Sequence, residues 1–427
     1  MKIENLHQLF LKCNSVSIDT RKIKNGSMFF AIKGENFDAN TFANEALSKG
    51  ALFVVIDNSN FYIDERTVIV QDSLKTLQEL SVFHRNYLKT PIIALTGSNG
   101  KTTTKELINV VLSKKYNTTA TIGNFNNHIG VPLTLLSFTS KTQLGIVEMG
   151  ANHQKEIEFL CKIAKPDYGY ITNFGKAHLE GFGGVEGVIK GKCEMYNYLE
   201  ENKKTVFVNL DDPIQVKKTN NLEKITFGIN KPLSNLNITA INANPFVEIQ
   251  YDNLHIKSNL IGIYNANNIN IAILMGKYFG VLDTDIKKAI ESYYPDNNRS
   301  QLIPKGSNQI ILDAYNANPS SMEVAINNFI NLINPEKLLI LGDMFELGEE
   351  SNIEHKAIIN LVKNETQLKC YFVGKHFFEN ILESNNLQFF ENFELLSQFL
   401  KNNNPENKMI LIKGSRGMAL ERLLEVF

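Results

Sequence analysis

Short apolar runs recur along the chain, bounded by Gly, Pro, Asn or Asp. Ala51–Ile56 (ALFVVI), Ile92–Leu95, Leu144–Val147, Tyr168–Ile171 and Thr205–Val208 each read as a buried strand. Between several of them lie longer stretches in which apolar residues return at helical spacing, as at Leu107, Val110 and Val111. Strands alternating with helices predict an α/β fold, with parallel sheets covered by helices. The alternation returns near the C-terminus at Gln309–Leu312, Leu338–Leu341, Cys370–Val373 and Met409–Ile412, which predicts a second α/β unit. Residues 219–259 differ: rich in Asn, Ile and Thr with weak period-two patterning, they predict antiparallel strands inserted before a helix at about 265–279.

Length then sets the number of units. At roughly 150 residues per domain, 427 residues suggest three. Tyr87-Leu88-Lys89-Thr90-Pro91 closes a first, because proline disfavours helix in the residue before it. Tyr294-Pro295-Asp296-Asn297-Asn298 closes a second in the same way, so the expected domains are 1–89, 90–297 and 298–427. Lysine plus arginine number 44 against 45 aspartate plus glutamate, and a net charge of -1 offers no field for nucleic acid or anionic lipid. Cys13, Cys161, Cys193 and Cys370 lie far apart without a CxxC pair, which argues against a disulfide framework and a thiolate zinc site. The segment MKIENLHQLFLKCNS has no signal-peptide core, and no apolar run approaches the ~18 residues of a membrane span. These features predict a cytoplasmic protein with neither nucleic acid nor membrane as a partner. A monomer with small-molecule partners is the accompanying expectation.

The sharpest chemical signal follows the strand at Pro91–Leu95. Thr96-Gly97-Ser98-Asn99-Gly100 reads as a tight turn and Lys101-Thr102-Thr103-Thr104-Lys105-Glu106 as the opening of a helix. Such a loop cradles phosphate: glycines let backbone N–H groups face the anion, the helix N-terminus adds partial positive charge, Lys101 meets β and γ oxygens, and Thr102 holds Mg²⁺. The position six before Lys101 is Leu95, so the loop is the shorter GxxGKT. An ordinary strand-to-helix turn would not need glycine, lysine and threonine in register. GTP is disfavoured, since the nearest base-reading match, Asn230-Lys231-Pro232-Leu233, lacks the aspartate. The residues alone leave open a phosphate-loop kinase or nucleotide-sensing module, which would turn over or bind ATP without a second, amine substrate.

The loop TGSNGKTTTKE resembles that of the Mur ligases and of folylpolyglutamate synthase, ATP-dependent enzymes that join an amine to a carboxylate. Gly123–Pro132 (GNFNNHIGVP), Val147–Asn152 (VEMGAN) and Thr172–Glu180 (TNFGKAHLE) are similar to further Mur ligase stretches. Asp313–Pro319 (DAYNANP), Leu341–Gly348 (LGDMFELG) and Lys413–Gly417 (KGSRG) resemble the branch that adds D-alanyl-D-alanine, and the DNPR motif of the branch adding a diamino acid is absent. Ser17–Arg21 (SIDTR) and Gly26–Gly34 (GSMFFAIKG) are similar to the family's uridine-binding domain. Two departures stand out: Asp38-Ala39-Asn40 replaces the usual DGH, and Tyr264 stands where a histidine often precedes the central-domain asparagine.

The resemblance implies a three-domain architecture: a UDP-substrate domain, a central phosphate-loop domain with a mainly parallel sheet for ATP and Mg²⁺, and a C-terminal Rossmann-like domain on the amino-acid side that closes on ATP. It implies that the γ-phosphate of ATP activates the carboxylate of a UDP-N-acetylmuramoyl-tripeptide, and that the amine of D-Ala-D-Ala attacks the acyl phosphate. Lys101, Lys192, His178 and Glu148 are the implied catalytic residues. Thr102, Glu148, His178 and Lys192, the last as a CO₂-derived carbamate, are the implied Mg²⁺ ligands. ATP would meet Gly97, Ser98, Asn99, Gly100, Lys101, Thr102, Thr103, Asn268, Arg299 and Asn316. The other substrates would meet Asp19, Thr20, Arg21, Asn126, Asn127, Asp313, Tyr315, Lys413 and Arg416. Most of these positions also have a plain structural reading. Glu148 and Asp313 end apolar runs, Lys192 sits two residues from Lys190 in a helix, and Cys193 reads as a packing residue. Asn316 would suit the cap of a helix with Pro319 in its first turn.

Overall fold

The computed structural model describes residues 1–296, 298–333 and 336–427. The expected boundary at residue 297 therefore lies outside the described residues. Three main sheets follow one another along the chain. The N-terminal sheet holds four parallel strands in the order Ser15–Ser17, Ser27–Phe30, Ala51–Ile56, Thr67–Ile69. Helix Ser73–Leu88 packs on it, capped by Asp72, whose side chain accepts the Lys75 N–H, and ends at Lys89 in the left-handed conformation. This helix also ties the unit to the next one. Arg85 donates to the carbonyls of Ala164 and Lys165 and pairs with Asp167 at 2.9 Å.

The central sheet has nine strands. In spatial order they are Leu254–Ile261, Phe246–Tyr251, Leu236–Ala243, Lys224–Ile229, Thr205–Asn209, Tyr168–Ile171, Ile92–Thr96, Leu144–Glu148 and Thr118–Ala120. Ile92–Thr96 is buried at every position, as its unbroken apolar run requires of a strand covered on both faces. The Asn-rich segment differs in part from expectation. Lys224–Ile229 and Leu236–Ala243 extend the sheet in parallel, and only the pairings with Phe246–Tyr251 on its two sides are antiparallel. Period-two patterning reports one buried face and says nothing of strand direction, which the connections decide. The expected helix is present at Ala266–Tyr278 and packs beside Lys101–Leu112, whose Leu107, Ile108 and Val111 are fully buried.

The C-terminal sheet runs Gln301–Lys305, Asn308–Asp313, Met409–Lys413, Lys337–Gly342, Lys369–Val373, Leu387–Phe390, antiparallel only in its first pair. Met409–Lys413 is last in the chain yet central in the sheet, which places Lys413 in register with Asp313. A reversal of strand order at this point opens a crevice at the strands' C-terminal ends, where α/β sheets receive ligands. One buried apolar cluster runs from Ile92 and Val147 through Phe329 to Leu339 and Leu411, joining the central and C-terminal units. Among the described residues, no helix is long and apolar enough to cross a membrane.

Candidate active site

The three units surround one cavity of about 1280 Å³. The phosphate loop forms its floor. Gly97 (φ 143°) and Gly100 (φ 78°) hold conformations that favour glycine, and neighbours crowd both: a Cβ would stand 2.0 Å from Thr172 Oγ1 at the first and 2.8 Å from Asn268 Oδ1 at the second. Helix Lys101–Leu112 starts directly after the loop, so its free N–H groups face the cavity. Lys101 Nζ donates to the carbonyls of Gly97 (2.7 Å) and Ser98 (3.3 Å). Burial brings its pKa down to about 8, with Glu148 opposing the shift and Arg299 adding to it.

Glu148 ends strand Leu144–Glu148 of the central sheet and is 1% exposed. Its Oε1 accepts from Asn126 Nδ2 (2.8 Å) and Thr102 Oγ1 (3.3 Å), while Oε2, equally buried, has no hydrogen-bond partner among the described residues. A buried, half-satisfied carboxylate beside a phosphate-loop threonine is what a divalent cation would complete. No group of three or more His, Cys, Asp or Glu able to hold a metal is found among the described residues. The oxygen donors of Thr102 and Glu148 suit Mg²⁺, which keeps waters and phosphate oxygens as its other ligands. His178 is half-buried in the left-handed conformation, with Nδ1 against the Glu346 carboxylate of the C-terminal unit. Hydrogen bonding to His178 holds Glu346 below the usual carboxylate range.

Lys192 lies on helix Val185–Glu201 and is 1% exposed. Its amine donates to Ala151 O (3.2 Å) and stands 4.9 Å from the centre of the Phe182 ring. Burial first, and the nearby Lys101 charge second, push its pKa well below the ordinary lysine value. Lys192 is not in the cavity wall; Ala151, whose carbonyl it holds, is. The neighbouring Cys193 is buried and its thiol is pushed up to about 11, which fits the packing role expected for it.

The opposite wall comes from the C-terminal unit. Lys413, 2% exposed, pairs with Asp313 at 2.6 Å and donates to Asn316 O at 3.3 Å. The Arg299 guanidinium lies 3.8 Å over the Tyr315 ring, and its buried Nε has no hydrogen-bond partner among the described residues. Tyr264 bonds Ser300 at 2.7 Å, so this departure from the family pattern pins the junction of the two units. Asn268 accepts from Thr104 Oγ1 and donates to Asn265 Oδ1, both at 2.9 Å; the first bond fastens helix Ala266–Tyr278 to the phosphate-loop helix and the second holds the helix's own start. The cap of helix Pro319–Asn331 is Asn318, contrary to the expectation for Asn316: Pro319 occupies the first helical position, so the cap is the residue just before it.

The cavity thus gathers Ser98, Asn99, Gly100, Lys101, Thr102, Thr103, Asn126, Asn127, Glu148, His178, Asn268, Arg299, Asp313, Tyr315, Asn316 and Lys413. Gly97, within the loop, is not part of the cavity wall. Arg416 is turned outward onto Glu421 (2.7 Å). Asp19, Thr20 and Arg21 sit apart from the cavity wall, where the Asp19 carboxylate, held near 2 by its hydrogen bonds from Arg21, caps a turn. Asn40 is buried with its amide between Asp38 and Asp57, a structural use of the departure at Asp38-Ala39-Asn40. Sequence reasoning passed over Gln78, His128, Asn173, Asn318 and Ser320, all of which line the cavity. Asn318 carried a signal, an Asn-Pro pair before a helix. Gln78 and His128 carried none, because they meet only through tertiary packing, Gln78 Nε2 donating to His128 O at 3.0 Å.

Fold and site together define a phosphate-loop nucleotide enzyme whose cavity opens between three α/β units. Residues 95–276 match the Mur ligase middle domain and residues 298–416 the Mur ligase glutamate ligase domain. The chain belongs to the Mur ligase family. It is 33% identical to the UDP-N-acetylmuramoyl-tripeptide–D-alanyl-D-alanine ligase of Bacillus subtilis (strain 168), over 96% of this chain and 92% of that one. It is 32% identical to the ligase of the same name from Escherichia coli (strain K12), over 96% and 93%. A crystal structure of MurF from Acinetobacter baumannii superposes with a TM-score of 0.84 at 28% identity, over 99% of this chain and 98% of that one. The MurF ligase of Thermotoga maritima in complex with ADP superposes with a TM-score of 0.83 at 25% identity, over 98% and 97%.

Proposed function

We propose that this protein is a UDP-N-acetylmuramoyl-tripeptide–D-alanyl-D-alanine ligase, forming the pentapeptide precursor of peptidoglycan in the cytoplasm. The observation that carries the reading is the single cavity in which phosphate-loop Lys101 and Glu148 face Asp313, Asn316 and Lys413. Residues 1–89 would receive the UDP end, 90–297 ATP, and 298–427 the dipeptide. The reaction brings a carboxylate against a triphosphate, so it needs cations placed before the charge develops. Lys101 and the N–H groups opening its helix would neutralise the transferring phosphoryl group. Arg299, stacked on Tyr315, offers a guanidinium for phosphate at the junction of the units. Lys413 is placed for a substrate carboxylate, held in position by Asp313.

Mg²⁺ would be held by Thr102, Glu148 and His178, and when bound it offsets phosphate charge and aligns the oxygens for in-line transfer. Lys192, whose burial pushes its pKa down and so favours the uncharged amine, is suited to take up CO₂ as a carbamate, which would turn it into a further anionic ligand. The deciding experiment measures phosphate release from ATP and Mg²⁺ with UDP-N-acetylmuramoyl-tripeptide, with and without D-Ala-D-Ala, and weighs the product. Release should require both partners, and the product should gain the dipeptide less water. Release indifferent to the dipeptide would mean a different acceptor amine.

A further inference from the structure

Two side-chain amides join the phosphate loop to the C-terminal unit. Asn318 Nδ2 donates to Asn99 Oδ1 at 2.7 Å, between residues 219 positions apart. The polarity of this bond is set by its surroundings: Asn318 Oδ1 already accepts the Ser321 N–H (2.9 Å) as helix cap, so its NH₂ faces Asn99, which must present oxygen. The main chain of Asn99 is fastened on the other side. Its N–H donates to Asn173 Oδ1 (3.1 Å), and its carbonyl accepts from Thr172 Oγ1 (2.6 Å) and Asn173 Nδ2 (3.0 Å). One loop residue thus has its backbone tied to the residues that follow strand Tyr168–Ile171 and its side chain tied to the cap of helix Pro319–Asn331.

The chain between them is shaped to let this happen. A Cβ on Gly175 would stand 2.9 Å from Asn99 Nδ2 and 3.1 Å from Ser320 Cβ, so a larger residue would push the two units apart. Beside it, Lys176 donates from its backbone to Ser320 Oγ (2.8 Å) and from its side chain to Glu354 (2.6 Å). A cap alone would use only Asn318 Oδ1, and a phosphate contact alone would use only Asn99. The bond between the two amides is explained by neither.

We propose that Asn99 and Asn318 are a positioning pair that couples the shape of the phosphate loop to the docking of the C-terminal unit, so that nucleotide and amine substrate come into register together. This rests on the ligase reading above. Asn318→Ser tests it, because serine keeps an oxygen for the cap and is too short to reach Asn99. Its melting temperature should stay within a few degrees of the parent's. ADP affinity by calorimetry should stay within about twofold, while kcat falls roughly fivefold to tenfold, the scale of one hydrogen bond, and KM for D-Ala-D-Ala rises. Asn99→Ala with Asn318→Ser should be no worse than the poorer single variant. Gly175→Ala should lower kcat as well. An unchanged kcat in Asn318→Ser, or losses that multiply in the double variant, would overturn the pair. If instead the parent protein shows no dipeptide-dependent release, the ligase reading is what has failed. The coupling is then read from hydrogen exchange over residues 321–331 on adding ADP and Mg²⁺: protection in the parent that Asn318→Ser loses supports the pair, and equal protection in both overturns it.

Discussion

Lys192 and Lys413 are both almost wholly buried, and their surroundings treat the charge in opposite ways. Lys413 meets Asp313 at 2.6 Å and a backbone carbonyl besides. Lys192 donates to one carbonyl and stands over the face of Phe182; burial and the Lys101 charge outweigh the opposing pull of the Glu156 and Glu194 carboxylates. Burial without an ion pair favours the uncharged amine, whereas an ion pair favours the charged form at the cost of desolvating two groups. The first arrangement favours the form of an amine that can be modified. The second fixes the amine in place against a carboxylate. Burial therefore does not say what a lysine is for; its partner does.

The comparison is broken most severely by removing the amine. Lys192→Met should cut turnover by up to roughly 10³-fold, the scale of losing one preorganised electrostatic group, without loss of melting temperature. The sign follows from linkage. A lysine whose pKa is lowered by folding binds fewer protons folded than unfolded, so it penalises folding at neutral pH, and the penalty fades as pH rises toward the ordinary lysine value. The variant should thus match or exceed the parent in stability at pH 7 and lose that advantage in alkali. Partial recovery of Lys192→Ala by short-chain carboxylic acids would sharpen the carbamate reading, and full activity in it would end the assignment.

Asp313→Asn should do the reverse, destabilising the C-terminal unit by about 3 kcal/mol because it strands a buried ammonium. Denaturant titration of Asp313→Asn alongside Asp313→Asn with Lys413→Met would show it, the double variant recovering most of the loss. A smaller effect concerns Lys101. Nucleotide binding needs its proton, and burial sets the free protein's value at about 8, so ADP affinity should fall up to tenfold per pH unit above 8 and level off below 7. Calorimetry across that range checks it. Least of all should follow from Arg416→Ala, since Arg416 is exposed and its ion pair is the surface one with Glu421: under ~1 kcal/mol of stability and under about twofold in turnover. A large loss of turnover would mean that Arg416 swings into the cavity with substrate bound.

The two lysines also mark how far the chain could be read before folding. The phosphate loop was legible because everything it needs lies within a few residues: an apolar strand, glycines at the turn and Lys101 at the helix start. The strands of the C-terminal sheet were legible from their apolar runs, but their order was not. That order alone brings Lys413 beside Asp313, a hundred residues earlier. The role of Asn318 was missed in favour of Asn316 two positions away, since both are asparagines in one short motif and only the position of Pro319 separates them.

Local sequence by itself determined which segments are strands and helices, where the phosphate loop lies and which family the motifs resemble, because periodicity, glycine and proline act over a few residues. Tertiary structure decided the rest: that burial pushes the Lys192 pKa down while Lys413 has a carboxylate partner, that Glu148 is left with an unmatched oxygen, that Arg416 faces outward, and that Asn99 reaches Asn318. Each of these depends on distances between residues far apart in the chain, and electrostatics in a buried site is set by such distances and by how much water they exclude.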